Sequence, residues 1–187
     1  MSSWNRFQMK PWGENGELRI VVESPRGAGV KFKYDPYTEA FTVSRALYLG
    51  VTYPFDWGFV PGTENEDGDP VDALILHDAS TYPGIVLPCR MLGMLAIDQK
   101  EGDNIGWRSN NRIIAIPTWH ERFGELESAD DLPTRVREEI EKFFQNTTFF
   151  TNKTLAIRGW EGPEAAGEFI KATKKNLDYL YDPSGTL

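Results

Sequence analysis

The sequence predicts an α+β domain that is mainly β, a compact β-barrel carrying two helices. Three observations carry that expectation. Apolar, β-branched runs of strand length fill the first two-thirds; apolar residues recur at helical spacing in the last third; and no repeat, low-complexity tract or long linker divides the 187 residues. A single domain over 1–187 is expected, with loose ends at about 1–16 and 182–187 by composition.

Taken in order, Leu18 to Glu23 is an apolar run closed by Ser24-Pro25-Arg26-Gly27, and Val30 to Tyr34 alternates strictly before turning at Asp35-Pro36. Phe41 to Arg45 follows in the same style. Ala73 to Leu76, Ile85 to Ile97, Ile113 to Ile116 and Leu155 to Arg158 are further strand-type runs, separated by Gly, Pro and Asp clusters. Leu132, Val136, Ile140, Phe143 and Phe144 then recur at spacings of three and four, with Asp130 or Asp131 as the expected cap and Pro133 inside the first turn. Pro163 opens a second helix, on which Ala166, Phe169, Ile170, Thr173, Leu177 and Leu180 share one face.

Composition narrows the functional classes. With 40% hydrophobic and 26% charged residues the chain reads as an ordinary folded domain. No apolar run of about 18 residues is present, so no membrane span is expected. The polar segment Met1 to Arg6 lacks the apolar stretch of a signal peptide, and Cys89 is the single cysteine. A reducing, cytoplasmic setting is therefore expected, with Cys89 an inert core thiol. The net charge of −8 argues against nucleic acid as a partner. It does not argue against a small polyanion accompanied by divalent cations, which reverse the local field. His77 and His120 form no cluster in sequence.

Asp67, Asp69 and Asp72 put three carboxylates within six residues, just after Glu64 and Glu66. Clustered carboxylates repel unless cations or protons intervene, and magnesium favours such hard oxygen ligands. Gly68 allows a sharp backbone and Pro70 stiffens it. Spacing alone is equally compatible with a solvated acidic turn. A helix-loop-helix calcium loop fits poorly, because Asp72 and Asp78 stand where it needs Gly and Glu.

The flanks decide between these readings. Tyr53-Pro54-Phe55-Asp56-Trp57-Gly58-Phe59-Val60-Pro61, followed by Asp67 to Asp72, resembles the signature of the family I soluble inorganic pyrophosphatases. Val21 to Pro25, Phe41 to Arg45, Gly93 to Asp98, Ile113 to Pro117 and Arg158-Gly159-Trp160 extend the resemblance over about 18–175. It implies a five-stranded barrel of the OB type with the helices packed outside, several Mg2+ ions (Mn2+ or Zn2+ as substitutes), and hydrolysis of pyrophosphate to two phosphates. It also implies a homo-oligomer, for which Trp4, Trp12 and Trp119 are candidate contacts; the sequence does not give the number of copies.

By the same resemblance Asp67 and Asp72 are metal ligands, Asp69 takes the proton of the attacking water, and Glu23 holds metal-bound waters. Asp98 matches a ligand of a further metal. Lys31 and Arg45 match phosphate contacts, and Tyr53 and Trp57 support the site. The loop after Asp98 is longer than usual by about seven residues. Counting forward from Asp98 makes Asp103 the last metal ligand; counting back from the Ile113 strand gives Asn110, with Arg112 replacing a phosphate-binding Lys. A carboxylate is the stronger magnesium ligand, so Asp103 is the expected one.

Departures from the family pattern are concentrated around the substrate. Lys33 stands where an acidic residue is expected, and Trp57 where a phosphate-contacting Tyr is expected. Thr147 and Thr148 replace a Tyr-Lys pair. Two alternatives follow. One is hydrolysis of another phosphoanhydride, with Trp57 stacking on a base or aryl group; the other is a non-catalytic protein of the same fold that binds metal or phosphate.

Overall fold

The computed structural model describes residues 9–103 and 106–175. Nine strands form: β1 (Leu18–Ser24), β2 (Val30–Asp35), β3 (Ala40–Ala46), β4 (Asp56–Val60), β5 (Val71–Ile75), β6 (Val86–Glu101), β7 (Arg108–Ser109), β8 (Arg112–Pro117) and β9 (Lys153–Glu161). Seven of them are the expected runs, most of them a residue or more longer. β4 is not legible by alternation, because all five of its residues are buried. β7 is two residues long and carries no pattern.

The main sheet runs β1-β4-β5-β8-β6-β7, with β9 also on β6 and the first residues of β6 meeting β1. The β5–β8 pair is parallel and the others are antiparallel. This corrects the expected five-stranded OB-type barrel: the sheet has seven strands, and β2 and β3 form a separate two-stranded ribbon. The cause is β6. Its 16 residues outrun any five-membered arrangement, so its first half serves β1 and β8 while its second half carries β7 and β9.

The expected helices are α1 (Thr134–Thr147) and α2 (Pro163–Thr173). α1 buries Ile140, Phe143 and Phe144, as its spacing requires. The expected caps belong elsewhere. Ser128 and Asp131 form a reciprocal capping box on a 3-10 turn at Ala129–Asp131, and Pro133 is the N-cap residue of α1 rather than part of its first turn. α2 begins at Pro163 and packs Ala166 and Ile170 inward. Leu177 and Leu180 of its expected face, Trp4, and the expected loose ends at 1–8 and 182–187 lie outside the described residues. Within the remaining part of the first loose end, Pro11 is buried and Trp12 bridges Leu18.

Core side chains fall mainly into two clusters. One holds Leu74, Leu95, Ile97, Ile114 and Ile116 against α1; the other holds Ile20, Val60, Ile75 and Ile113 against α2. Cys89 is fully buried in the second, and burial pushes its thiol pKa upward, as an inert core thiol requires. His77 donates to or accepts from the buried Asp56 at 2.8 Å, and Asp56 also accepts from the Arg26 N–H at 2.8 Å. That carboxylate fastens the segments either side of β4 and the end of β5.

Gly93 sits where β6 passes β9. Its φ is +152°, and a Cβ there would lie 2.1 Å from the Glu161 carbonyl oxygen, a backbone atom that cannot swing aside. Gly93→Ala is expected to destabilise the fold by about 1–3 kcal/mol or more. Urea unfolding of the two proteins checks this, and equal midpoints would refute it.

Candidate active site

The sheet delivers polar side chains to one place by simple alternation. Successive residues of a strand face opposite sides, so the face that buries Leu74 in the core presents Asp72 two residues earlier. The face of Leu95 and Ile97 continues to Gln99, and that of Ile116 and Ile114 continues back to Arg112 and Asn110. All four polar residues line a cavity of about 680 Å3 into which the first core cluster opens. That is within the size of a small-ligand site, roughly 300–1,000 Å3. Tyr53, Trp57, Phe143 and Phe144 form its apolar floor.

The β2–β3 ribbon brings Lys31, Lys33 and Arg45 to the same cavity. The register slips between Lys31 and Phe32, and the extra residue is on β3: Lys31 pairs with Arg45 and Phe32 with Val43. β2 therefore keeps its alternation, and both lysines stay on one face. The acidic segment enters on the loop between β4 and β5. Gly68 takes φ +83°, and the Asp67 carboxylate accepts from the Asp69 N–H at 3.1 Å. The Asn65 N–H donates to the Asp69 carbonyl at 2.8 Å, which closes the turn. Thr63 anchors its base, donating to Val60 O at 2.6 Å and accepting from Val71 N at 2.9 Å. Asp67, Asp69 and Asp72 thereby all reach the cavity.

Charge compensation is internal. Lys33 Nζ donates to both Asp69 oxygens, at 2.9 and 2.8 Å. Arg112 donates from Nη1 to Asp72 and to Asn110 Oδ1. Asn110 in turn accepts from Asn65 Nδ2 at 3.3 Å and donates to Gln99 Oε1 at 3.3 Å. Lys31 and Arg112 both lie over the Trp57 ring, 5.8 and 5.3 Å from its centroid. The buried Trp57 Nε1 finds no hydrogen-bond partner among the described residues. Arg45 Nη2 donates to the Thr147 carbonyl at 2.9 Å, and Thr147 and Thr148 line the cavity edge.

Burial lowers the Lys31 pKa, against the pull of Asp72 and Glu23. Lys33 is also penalised by burial, but its hydrogen bond to Asp69 and the nearby acids outweigh that and raise it. Burial raises the Tyr53 phenol, which stays a proton donor. Burial raises Glu23 from 4.5 to about 7, and the Tyr34 N–H bond to its Oε1 only partly opposes this.

Of the residues singled out in the sequence, Glu23, Lys31, Arg45, Tyr53, Trp57, Asp67, Asp69, Asp72 and Arg112 are brought together around the cavity. Asp98 and Asp103 are not among its lining. Asp98 points to the other face of β6, where it accepts from Arg158 Nε on β9 at 2.7 Å. Asp103 is exposed on the bend after β6. Asn110 lines the cavity instead, together with Gln99, which the sequence reading passed over. The signal for Gln99 was present: it continues the alternation of Leu95 and Ile97.

For a hard divalent cation, Asp67, Asp69 and Asp72 are donors of the right chemistry on one wall. Gln99 and Asn110 beside them offer only neutral amides, bonded to each other, and Asn110 shares Arg112 Nη1 with Asp72. Among the described residues no three acidic, His or Cys side chains converge closely enough to enclose an ion. The carboxylates fit a metal and the amides do not.

Comparison with known proteins agrees with the geometry. The inorganic pyrophosphatase family profile matches residues 20–178. The inorganic pyrophosphatase of Saccharolobus solfataricus is 35% identical over 158 residues, covering 83% of this chain and 88% of the relative. That of Aquifex pyrophilus is 34% identical over 173 residues, 89% and 93% of the two chains. The crystal structure of inorganic pyrophosphatase from Thermus thermophilus superposes with a TM-score of 0.82 at 30% identity, covering 90% of this chain and 96% of that one.

The raised Glu23 carboxyl has a consequence for stability. A pKa of about 7 in the fold against 4.5 unfolded means the native state holds a proton that the unfolded chain has lost. The resulting stabilisation is complete below pH 4.5 and is lost as pH rises through 7. Its size is roughly 3 kcal/mol by the usual conversion. In chelator, urea unfolding of Glu23→Gln is expected to lack this loss. Parallel pH profiles for variant and wild type would remove Glu23 as its source.

Proposed function

The chain belongs to the family I soluble inorganic pyrophosphatases, and on that premise we propose how its cavity performs their reaction. The reaction is magnesium-dependent hydrolysis of pyrophosphate to two phosphates. One observation carries the assignment of the site. Asp67 and Asp69 of the loop and Asp72 of β5 line one cavity with Lys31, Lys33 and Arg45 of the ribbon. A substrate that is a polyanion and a nucleophile that must lose a proton need those two sets of side chains together.

Asp67 and Asp72 would hold the divalent ions, whose contribution is to acidify water and shield phosphate charge. Asp69 accepts the proton of the attacking water as the P–O–P bridge breaks. Lys31 and Arg45 grip phosphate oxygens, Arg45 as a planar fork and Lys31 as a compact charge. Arg112 keeps Asp72 oriented and faces the same cavity. Trp57 presents its ring face to Lys31 and Arg112. Thr147 and Thr148 offer hydroxyl groups in place of a phenol and an ammonium, so the departing phosphate is held less firmly.

Two further parts of the reading concern the setting. No described helix is long and apolar enough to cross a membrane. A buried lone Cys89 suits a reducing cytoplasm, and the half-exposed Trp119 is a contact through which copies of the chain could associate.

Asp69→Asn tests the assignment, because the amide keeps the shape and loses the base. Phosphate release from pyrophosphate with Mg2+ is expected to fall by about 10²–10⁴. Equal rates in variant and wild type would falsify the role of Asp69.

A further inference from the structure

We propose that the Lys33 ammonium takes the place of a divalent cation at Asp69, so that this cavity accepts a diphosphate anion without metal and takes up fewer metal ions than its carboxylates alone would demand. The proposal rests on the pyrophosphatase reading of the site and goes beyond it. A cavity walled by carboxylates is anionic when metal-free and repels a polyanion; metal must then enter first or with it. Here the balance is reversed. Six basic side chains line the cavity (Lys31, Lys33, Arg45, Arg112, Lys153, Lys175) against four acidic ones (Glu23, Asp67, Asp69, Asp72), although the whole chain carries −8.

Two of the carboxylates already have a cation of the protein's own. Lys33 donates to both oxygens of Asp69, and Arg112 is bonded to Asp72. The neighbouring amides tell the same way. Two carboxylates at Gln99 and Asn110 would repel and call for a cation between them. The two amides instead bond to each other, and Asn110 Oδ1 is further used by Arg112 and Asn65. No unsatisfied charge remains there for a metal to neutralise.

The Lys33–Asp69 pair is also able to open. Its side chains are 47% and 55% exposed, and an ion pair of that exposure is weakly held. Lys33 can therefore move onto phosphate oxygens as substrate enters, which leaves Asp69 available to the water. The ammonium thus shields charge in both states, on Asp69 before binding and on the substrate after it.

The test uses the full chain and two measurements. Sodium pyrophosphate is titrated calorimetrically into wild type, Lys33→Met and Lys33→Glu in the presence of EDTA. Mn2+ bound per substrate-free chain is counted separately by electron paramagnetic resonance. Wild type is expected to bind pyrophosphate in EDTA, Lys33→Met at least tenfold more weakly, and Lys33→Glu is expected to gain one Mn2+ per chain. A flat wild-type titration in EDTA, or equal Mn2+ counts in wild type and Lys33→Glu, overturns the proposal. Turnover of pyrophosphate by wild type with Mg2+ is measured alongside. If turnover is present and the EDTA titration is flat, the proposal fails and the pyrophosphatase reading stands; if turnover is absent, it is that reading that fails.

Discussion

The bonds of Arg112 to Asp72 and Asn110 are the constraint on which the site depends. Arg112 opens β8 and Asp72 lies in the neighbouring parallel strand β5, so the ion pair spans the middle of the sheet at the cavity floor. The guanidinium is almost wholly buried. A buried charge must be paired and hydrogen-bonded, and removing one partner leaves the other stranded in a poor solvent. Asp72 supplies the countercharge, Asn110 a second acceptor, and Trp57 and Phe144 present their ring faces, while Arg112 Nε has no partner among the described residues. Asn110 is then fixed, and through it Gln99 and Asn65. The floor is a connected polar network inserted into an aromatic core.

That arrangement explains why the acidic loop and the cationic ribbon can be more exposed and still be well placed. Asp67 and Asp69 sit on a turn held by its own backbone bonds and by the Thr63 hydroxyl. The ribbon stands apart from the main sheet and is tied to it at Glu23, which accepts from the Tyr34 N–H, and at Ser24, which accepts from the Phe32 N–H at 2.9 Å. Rigid floor and adjustable rim divide the work. The floor fixes Asp72 and its partners, while gripping and releasing an anion calls for side chains that move.

Much of this was legible in the sequence, and the failures have physical causes. Apolar, β-branched runs located β1 and β8, alternation located β2 and β3, and spacings of three and four located α1 and α2. The flanking motif identified the family, and nine of the eleven residues it singled out line the cavity. β4 escaped because burial on both faces erases alternation. Asp98 followed from the family resemblance and Asp103 from its spacing and charge, whereas the strand decides by parity. Gln99 shares the face of Ile97, and Asn110 shares that of Arg112 and Ile114. Counting in twos from the apolar residues would have placed both amides in the cavity. The barrel expectation failed differently: nothing in the run Ile85 to Ile97 announces that β6 continues to Glu101 and carries two further strands.

The contrast between the chain's overall −8 and its cation-lined cavity bears on kinetics. An approaching polyanion meets repulsion from the outer surface only within about a screening length, roughly 8–10 Å at ordinary ionic strength, and attraction once inside the cavity. Added salt shortens the reach of the outer repulsion more than it weakens the partly buried cations within. Arrival and retention of the anion thus respond to ionic strength in opposite senses. The protein's working rate is set by the salt of its surroundings as well as by its own side chains.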